Sequence, residues 1–176
     1  TVSTTVEFYV PYFMREIHKI GPLGAGYLTV LIGLGWSLSS IFCSGVKQNK
    51  VSRLIFIGII IVFFGLCGLS LTVPSINSSN GIAFVLMCIF LLSLGIGVGM
   101  GWPHLLTRVL SSAPSGEGEK ASASITTVQL FSTAFGTALC GLVANATGIL
   151  NPGGVTGSQQ AAVWLFGLFS IAPLIA

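Results

Sequence analysis

"GIGVGMGWPH", residues 95–104, sets a glycine at every second position four times and then adds Trp102, Pro103 and His104. In water such a stretch holds no helix, because each interior Gly costs roughly 0.5–1 kcal/mol relative to Ala and an interior Pro about 3. An apolar run written this way belongs to a different solvent. Charged residues make up 6% of the 176 and hydrophobic ones 53%, with a mean hydropathy of +0.95; soluble domains carry about 25% charged residues. Uncharged runs over 23–46, 54–73, 82–103 and 121–147 each reach the ~20 residues that cross a bilayer's hydrocarbon as a helix. Shorter apolar runs at 1–14 and 161–176 flank them and are cut off by the chain ends. An open sheet would strand its backbone groups in hydrocarbon. The expected fold class is therefore all-α, a polytopic membrane protein whose single bundle has spans at about 1–14, 23–46, 54–73, 82–106, 121–147 and 159–176. The outer two spans are expected to be truncated, so that the chain is a fragment of a longer protein. A signal peptide is not expected, since the first segment has no basic leader and carries Glu7 near its middle.

Within the bilayer, Gly and Pro serve packing. Gly95 and Gly99 lie four apart on one helix face, and Gly97 and Gly101 four apart on nearly the opposite one. Both pairs are small-xxx-small seams, so this helix can be pressed between two neighbours. Pro103 cannot donate to the carbonyl of Gly99, which predicts a bend near the helix end.

Basic residues orient the bundle. The connections after the second and fourth spans hold Lys47, Lys50, Arg53, Arg108 and Lys120, against Arg15 and Lys19 in the others; the first group is expected to be cytoplasmic. The uncharged "PSINSSNG" (74–81) and "GILNPGGVTGSQQ" (148–160) read as outside turns. The matches to N-x-[ST] beside them, Asn77-Ser78-Ser79 and Asn145-Ala146-Thr147, are common by chance and are assigned no role. The net charge of +3 follows from this topology and implies no nucleic-acid surface.

The stretch "GVKQNKVSR" (45–53) fits the spacing G-x-x-x-D-R-x-G-R and resembles the loop signature of the major facilitator superfamily. Gly45, Lys50 and Arg53 match in kind, while Asn49 stands in place of Asp and Ser52 in place of Gly. In that family the signature lies between helices two and three and recurs, degraded, between eight and nine. The resemblance implies that the six spans are helices seven to twelve, the C-terminal half of a 3+3 inverted-repeat bundle, with the N-terminal half absent. "GWPHLLTRVLSSAPSGEGEKASASITTVQLFSTAFGTALCG" (101–141) is similar to the tenth and eleventh helices of bacterial, drug-efflux-like members. Without the Asp, position 49 loses the carboxylate that locks the cytoplasmic side in the family's first-half copy, and the segment reads as a basic loop anchoring helix ends.

Two polar stripes follow from spacing. Ser122, Thr126, Gln129, Thr133, Thr137 and Cys140 recur every three or four residues, and Thr29, Gly33, Trp36, Ser37, Ser40 and Ser44 form a weaker series. "LIFIGIIIVFFGLCGLSLTV" (54–73) is apolar all round and should face lipid. Either stripe can serve interhelical hydrogen bonding. The resemblance implies instead that helices seven, eight, ten and eleven line a central cavity, with Thr29, Gly33, Trp36, Ser37, Ser122, Thr126, Gln129 and Thr133 as lining candidates.

Glu7 is the ionisable residue set well inside a span. Inserting it charged costs a few kcal/mol, so it should face the bundle interior or a water path, where it can carry a proton, pair with a residue of the absent half or recognise a cation. Pro11 frees the carbonyl of Glu7 and loosens that turn. His104 and Trp102 read as interfacial residues, and Arg15, Glu16, His18 and Lys19 as a solvated turn; Glu117, Glu119 and Lys120 do the same at the other side. Cys43, Cys67, Cys88 and Cys140 lie in spans without metal-ligand spacing.

No cluster of catalytic or metal-binding side chains points to an enzyme, and no metal or other cofactor is expected. The resemblance implies a multi-pass carrier of the cell inner membrane working by alternating access. Its implied activity is export of small amphipathic molecules as a proton antiporter, with the lipid bilayer, a small-molecule substrate, the proton and the N-terminal half as partners. In that scheme Gly95, Gly97, Gly99, Gly101 and Pro103 form a smooth gating element. An uptake symporter for small metabolites, and a channel or structural subunit of a membrane complex, are the alternatives that the composition also admits.

Overall fold

The computed structural model describes residues 2–75, 81–114 and 116–175. They form helices and turns, with no strand among the described residues. The helices are α1 (Val2–His18), α2 (Pro22–Cys43), α3 (Gln48–Ser75), α4 (Gly81–Ser111), α5 (Gly118–Ala146), α6 (Gly154–Ser170) and the single turn α7 (Ala172–Ile175), set off from α6 by a bend at Ile171. Asn77-Ser78-Ser79 lies outside the described residues.

Local chemistry explains the boundaries. Pro22 opens α2 at a position whose N–H has no helical partner to lose, and Gly153, with φ of 72°, turns the chain into α6. Four helices, α2 to α5, and the stretch Gly154–Ile175 are long and apolar enough to cross a membrane. At 17 residues, α1 is shorter and includes Glu7, Arg15 and Glu16. α3 starts at Gln48, well ahead of the apolar run that opens at Leu54. Nothing between 48 and 57 breaks a helix, and the long stems of Lys50 and Arg53 carry their charges away from the apolar segment. The segment read from sequence as a loop is thus a turn at 44–45 followed by two helical turns.

The core is one cluster in which every full-length helix takes part. Val6, Val10, Phe13 and Met14 of α1 meet Leu66, Leu69 and Val73 of α3, Met87, Leu91 and Leu94 of α4, and Ala161, Leu165 and Phe166 of α6. Phe13 and Phe166 pack edge to face with ring centroids 5.8 Å apart. α4 is wedged between α2 and α3, and α3 also packs on α6. α3 therefore departs from the expectation that it faces lipid all round. Its glycines at 58, 65 and 68 admit α4, and Phe56, Ile57, Phe64 and Leu71 stay exposed on its outer side. Uniformly apolar side chains suit hydrocarbon and helix contact alike, so periodicity could not separate the two faces.

Candidate functional site

The glycine run of α4 is a two-sided contact. A Cβ on Gly95 would run into the carbonyl of Ile32 and stand 2.9 Å from the amide nitrogen of Trp36; one on Gly99 would meet Ser39 Oγ and the carbonyl of Trp36. Across that seam, Gly35 of α2 faces the carbonyl of Leu92 and the amide of Ile96. On the opposite side, a Cβ on Gly97 would lie 2.6 Å from Val62 Cγ2 and 2.7 Å from the carbonyl of Gly58, and one on Gly58 2.6 Å from the carbonyl of Gly97. Backbones this close leave no room for a side chain on either helix. Gly101 is the loose member, since a Cβ there would come no nearer than 3.9 Å, to Ile55.

Pro103 sits inside α4, which continues as one helix to Ser111. The carbonyl of Gly99, deprived of its helical donor, accepts from Ser40 Oγ of α2 at 3.3 Å. One turn further, His104 donates through Nε2 to the carbonyl of Cys43 at 3.0 Å, tying the last turn of α2 to α4. At the other end of the bundle, His18 donates to the carbonyl of Val73 at 2.9 Å and Gln159 to that of Pro74 at 2.9 Å. The two histidines are interhelical ties, a role that neither an interfacial residue nor a solvated turn conveys. Nothing in their own segments signals it, because each partner carbonyl lies more than fifty residues away along the chain.

The weaker stripe is divided by this packing. Trp36 and Ser40 are half-buried at the α4 seam, next to the buried Ser39, which the stripe does not include, whereas Gly33, Ser37 and Ser44 are exposed and Thr29 is half-buried with its hydroxyl on the carbonyl of Gly26. On α5 the polar series and the packed face coincide. Gly136, Cys140 and Ala144 are buried, and Cys140 Sγ shares a hydrogen bond of 2.9 Å with Thr5 Oγ1 of α1. The same face carries Ser122, Thr126, Gln129 and Thr133 in the preceding turns, and there all four are exposed. The hydroxyls of Thr126 and Thr137 turn back onto their own helix, to the carbonyls of Ser122 and Thr133. The bundle thus buries this side of α5 at Gly136, Cys140 and Ala144 and leaves Ser122, Thr126, Gln129, Thr133 and Thr137 exposed. Phe131 and Phe135, stacked with centroids 6.3 Å apart, are offset by two residues from Gln129 and Thr133 and so occupy the opposite side.

Glu7 is exposed on the side of α1 that the bundle leaves uncovered, beside Phe8, which is 63% exposed, and the half-buried Pro11. In the 45–53 segment, Gly45 lies in the turn, while Asn49, Lys50, Ser52 and Arg53 are exposed in the first two turns of α3. Arg108 of α4 donates to Ser52 Oγ at 3.3 Å. Among the described residues no three His, Cys, Asp or Glu side chains come together as a metal site.

Over 176 residues the chain is 28% identical to proteins of two Mycobacterium tuberculosis strains, CDC 1551 and H37Rv, each named a probable multidrug-efflux transporter. The match takes in 99% of this chain and 36% of each relative, so the chain spans about a third of the length of the curated relatives it matches. No family model matches it, and no solved structure gives a significant match.

Proposed function

We propose that this chain is the C-terminal half of a secondary active transporter of the major facilitator type, built as a 3+3 inverted repeat of six helices over residues 1–176. In this reading it exports small amphipathic molecules across the inner membrane in exchange for protons. One observation carries the reading: a polar face on α5 is packed at Gly136, Cys140 and Ala144 and left uncovered at Ser122, Thr126, Gln129 and Thr133. A membrane helix gains nothing from presenting such a face to hydrocarbon, so the face belongs against a water-filled cavity or another protein wall. Thr29, Gly33, Trp36 and Ser37 of α2 complete the near wall, and the N-terminal half supplies the far one. Support comes also from the similarity along 99% of the chain to proteins named probable multidrug-efflux transporters.

In alternating access, two helical halves rock about a site near the bilayer midplane. The glycine seams of α4 suit that motion, because smooth faces at Gly95, Gly97 and Gly99 let α4 tilt between α2 and α3 without unlocking side chains. Gly101 and Pro103 continue that element toward the helix end. Glu7, on the uncovered side of α1, loads a proton from one side and releases it to the other as the cavity switches. Gly45, Asn49, Lys50, Ser52 and Arg53 anchor the cytoplasmic end.

The test is reconstitution of the full-length protein in vesicles with an imposed pH gradient and a panel of lipophilic cations, comparing wild type with Glu7→Gln. Gradient-driven movement that the variant loses is the expected result. Movement unchanged in the variant removes Glu7 from the proton path, and no movement of any cation overturns drug export.

A further inference from the structure

Tyr9 of α1 carries a hydroxyl that the bundle does not use. Its ring packs at the edge of the core, tilted against Phe13 with centroids 5.9 Å apart, and the residue is half-buried. The hydroxyl stands over Gly141 of α5, where an added Cβ would lie 3.9 Å from it, and it makes no hydrogen bond among the described residues. One turn earlier on the same side of α1, Thr5 is buried and bonds at 2.9 Å to Cys140, the residue before Gly141. Helix α1 thus meets α5 at Cys140 and Gly141.

This meeting point borders the uncovered polar face. Thr137 precedes Gly141 by one turn and is exposed, as is Thr133 before it, so the phenol lies where the packed turns of α5 join the open ones. The polar side chains around it are engaged already, Thr5 and Cys140 with each other and Thr137 with the carbonyl of Thr133, which leaves the phenol as the donor that this turn offers. Tyrosine hydroxyls taken out of water find a partner, and a few placed polar groups in an otherwise apolar wall are what orient a bound small molecule. Water can hold the position until a better acceptor displaces it.

We propose that Tyr9 determines specificity by donating a hydrogen bond to a carbonyl or ether oxygen of the carried molecule, so that the preferred substrates are apolar cations bearing such an acceptor. The proposal rests on the reading of the Ser122–Thr133 face as a cavity wall, and it adds which end of that wall recognises the substrate and by what bond. A site built round such a donor discriminates against an analogue that lacks the acceptor, because the hydroxyl is left unpaired once its water is displaced. Apolar contact alone gives no such preference.

The experiment measures, by equilibrium dialysis against the full-length protein in detergent, the binding of tetraphenylphosphonium and of its para-acetyl derivative, which adds one carbonyl. Wild type should bind the acetyl derivative about tenfold more tightly, the worth of one well-made hydrogen bond. Tyr9→Phe, which removes the hydroxyl and keeps the ring, should bind the two cations alike at an unchanged unfolding midpoint, because the hydroxyl has no partner to lose among the described residues. Tyr27→Phe, at a tyrosine of α2 that is 67% exposed, should keep the wild-type preference. A preference that survives Tyr9→Phe, a wild type without one, or a midpoint lowered by Tyr9→Phe overturns Tyr9 as a substrate contact and leaves the cavity reading standing. Binding of neither cation to wild type overturns that reading, and this proposal with it.

Discussion

Ser40 Oγ of α2 donates at 3.3 Å to the carbonyl of Gly99, the acceptor in α4 that Pro103 leaves without its helical N–H. A side chain on one helix thus repairs a defect in another, and the repair lies beside the seam where Gly95 and Gly99 admit α2. Ser40→Ala should cost about 0.6 kcal/mol, and no more than about 1.7, the range of interhelical hydrogen bonds in membranes. In a Pro103→Ala background, residue 103 regains its N–H and the same change should cost close to nothing. Thermal unfolding of the four proteins in detergent measures this coupling, and equal costs in the two backgrounds would show that Ser40 acts through packing alone.

The glycines of α4 should not respond alike. Gly95→Ala has to displace the carbonyl of Ile32, and Gly97→Ala must move Val62 and the carbonyl of Gly58; each should destabilise by about 1–3 kcal/mol, the usual cost of overpacking. Gly101→Ala meets nothing closer than 3.9 Å and should be neutral or stabilising by up to about 1 kcal/mol, since Ala holds a helix better. Unfolding midpoints separate these outcomes. Equal losses at 95 and 101 would mean that helix propensity, and not the close approach, sets the effect. If the seams also carry gating, Gly95→Leu and Gly99→Leu should insert into the membrane and fail to transport.

Helical character was legible in the sequence because hydrocarbon allows a long uncharged run few other forms. The seams of α4 were legible for a related reason, since a close neighbour gives spaced glycines a use; it does so at Gly95, Gly97 and Gly99, whereas the same spacing at Gly101 meets no close contact. What could not be read was rotation and reach. The uncovered side of α1 that bears Glu7 depends on how α1 docks on α6, and the packed side of α3 on where α4 settles, choices that uniformly apolar neighbours leave unmarked. The ties from Ser40, His104 and His18 each join residues more than fifty positions apart, so local pattern carries no trace of them. The start of α3 was misplaced because apolar content marks the hydrocarbon and not the helix, which continues through Lys50 and Arg53 until the turn at 44–45.

His104 offers a test of tie against proton relay. Its Nε2 donates to the carbonyl of Cys43 at 3.0 Å, and an amide side chain can make the same donation without titrating. His104→Gln should therefore keep stability and any gradient-driven transport near wild type, while His104→Ala loses about 1 kcal/mol. Abolished transport in the Gln variant at unchanged stability would instead put the imidazole on a proton path.

The uncovered face of α5 makes the sharpest distinction, because water and lipid treat a thiol differently. With Cys43, Cys67, Cys88 and Cys140 replaced by Ala in the full-length protein, single cysteines at Ser122, Thr126, Gln129 and Thr133 should react with a membrane-impermeant maleimide. One at Val128, which is 63% exposed but lies on the other side of the helix, should not. Only a hydrated cavity against the Ser122–Thr133 face gives that contrast, since hydrocarbon on both sides would silence all five and a dry protein wall would silence the four. Labelling that a transported cation slows would go further and place the substrate against the same turns, whereas protection at Gln129 and Thr133 with Ser122 unaffected would set its depth along α5.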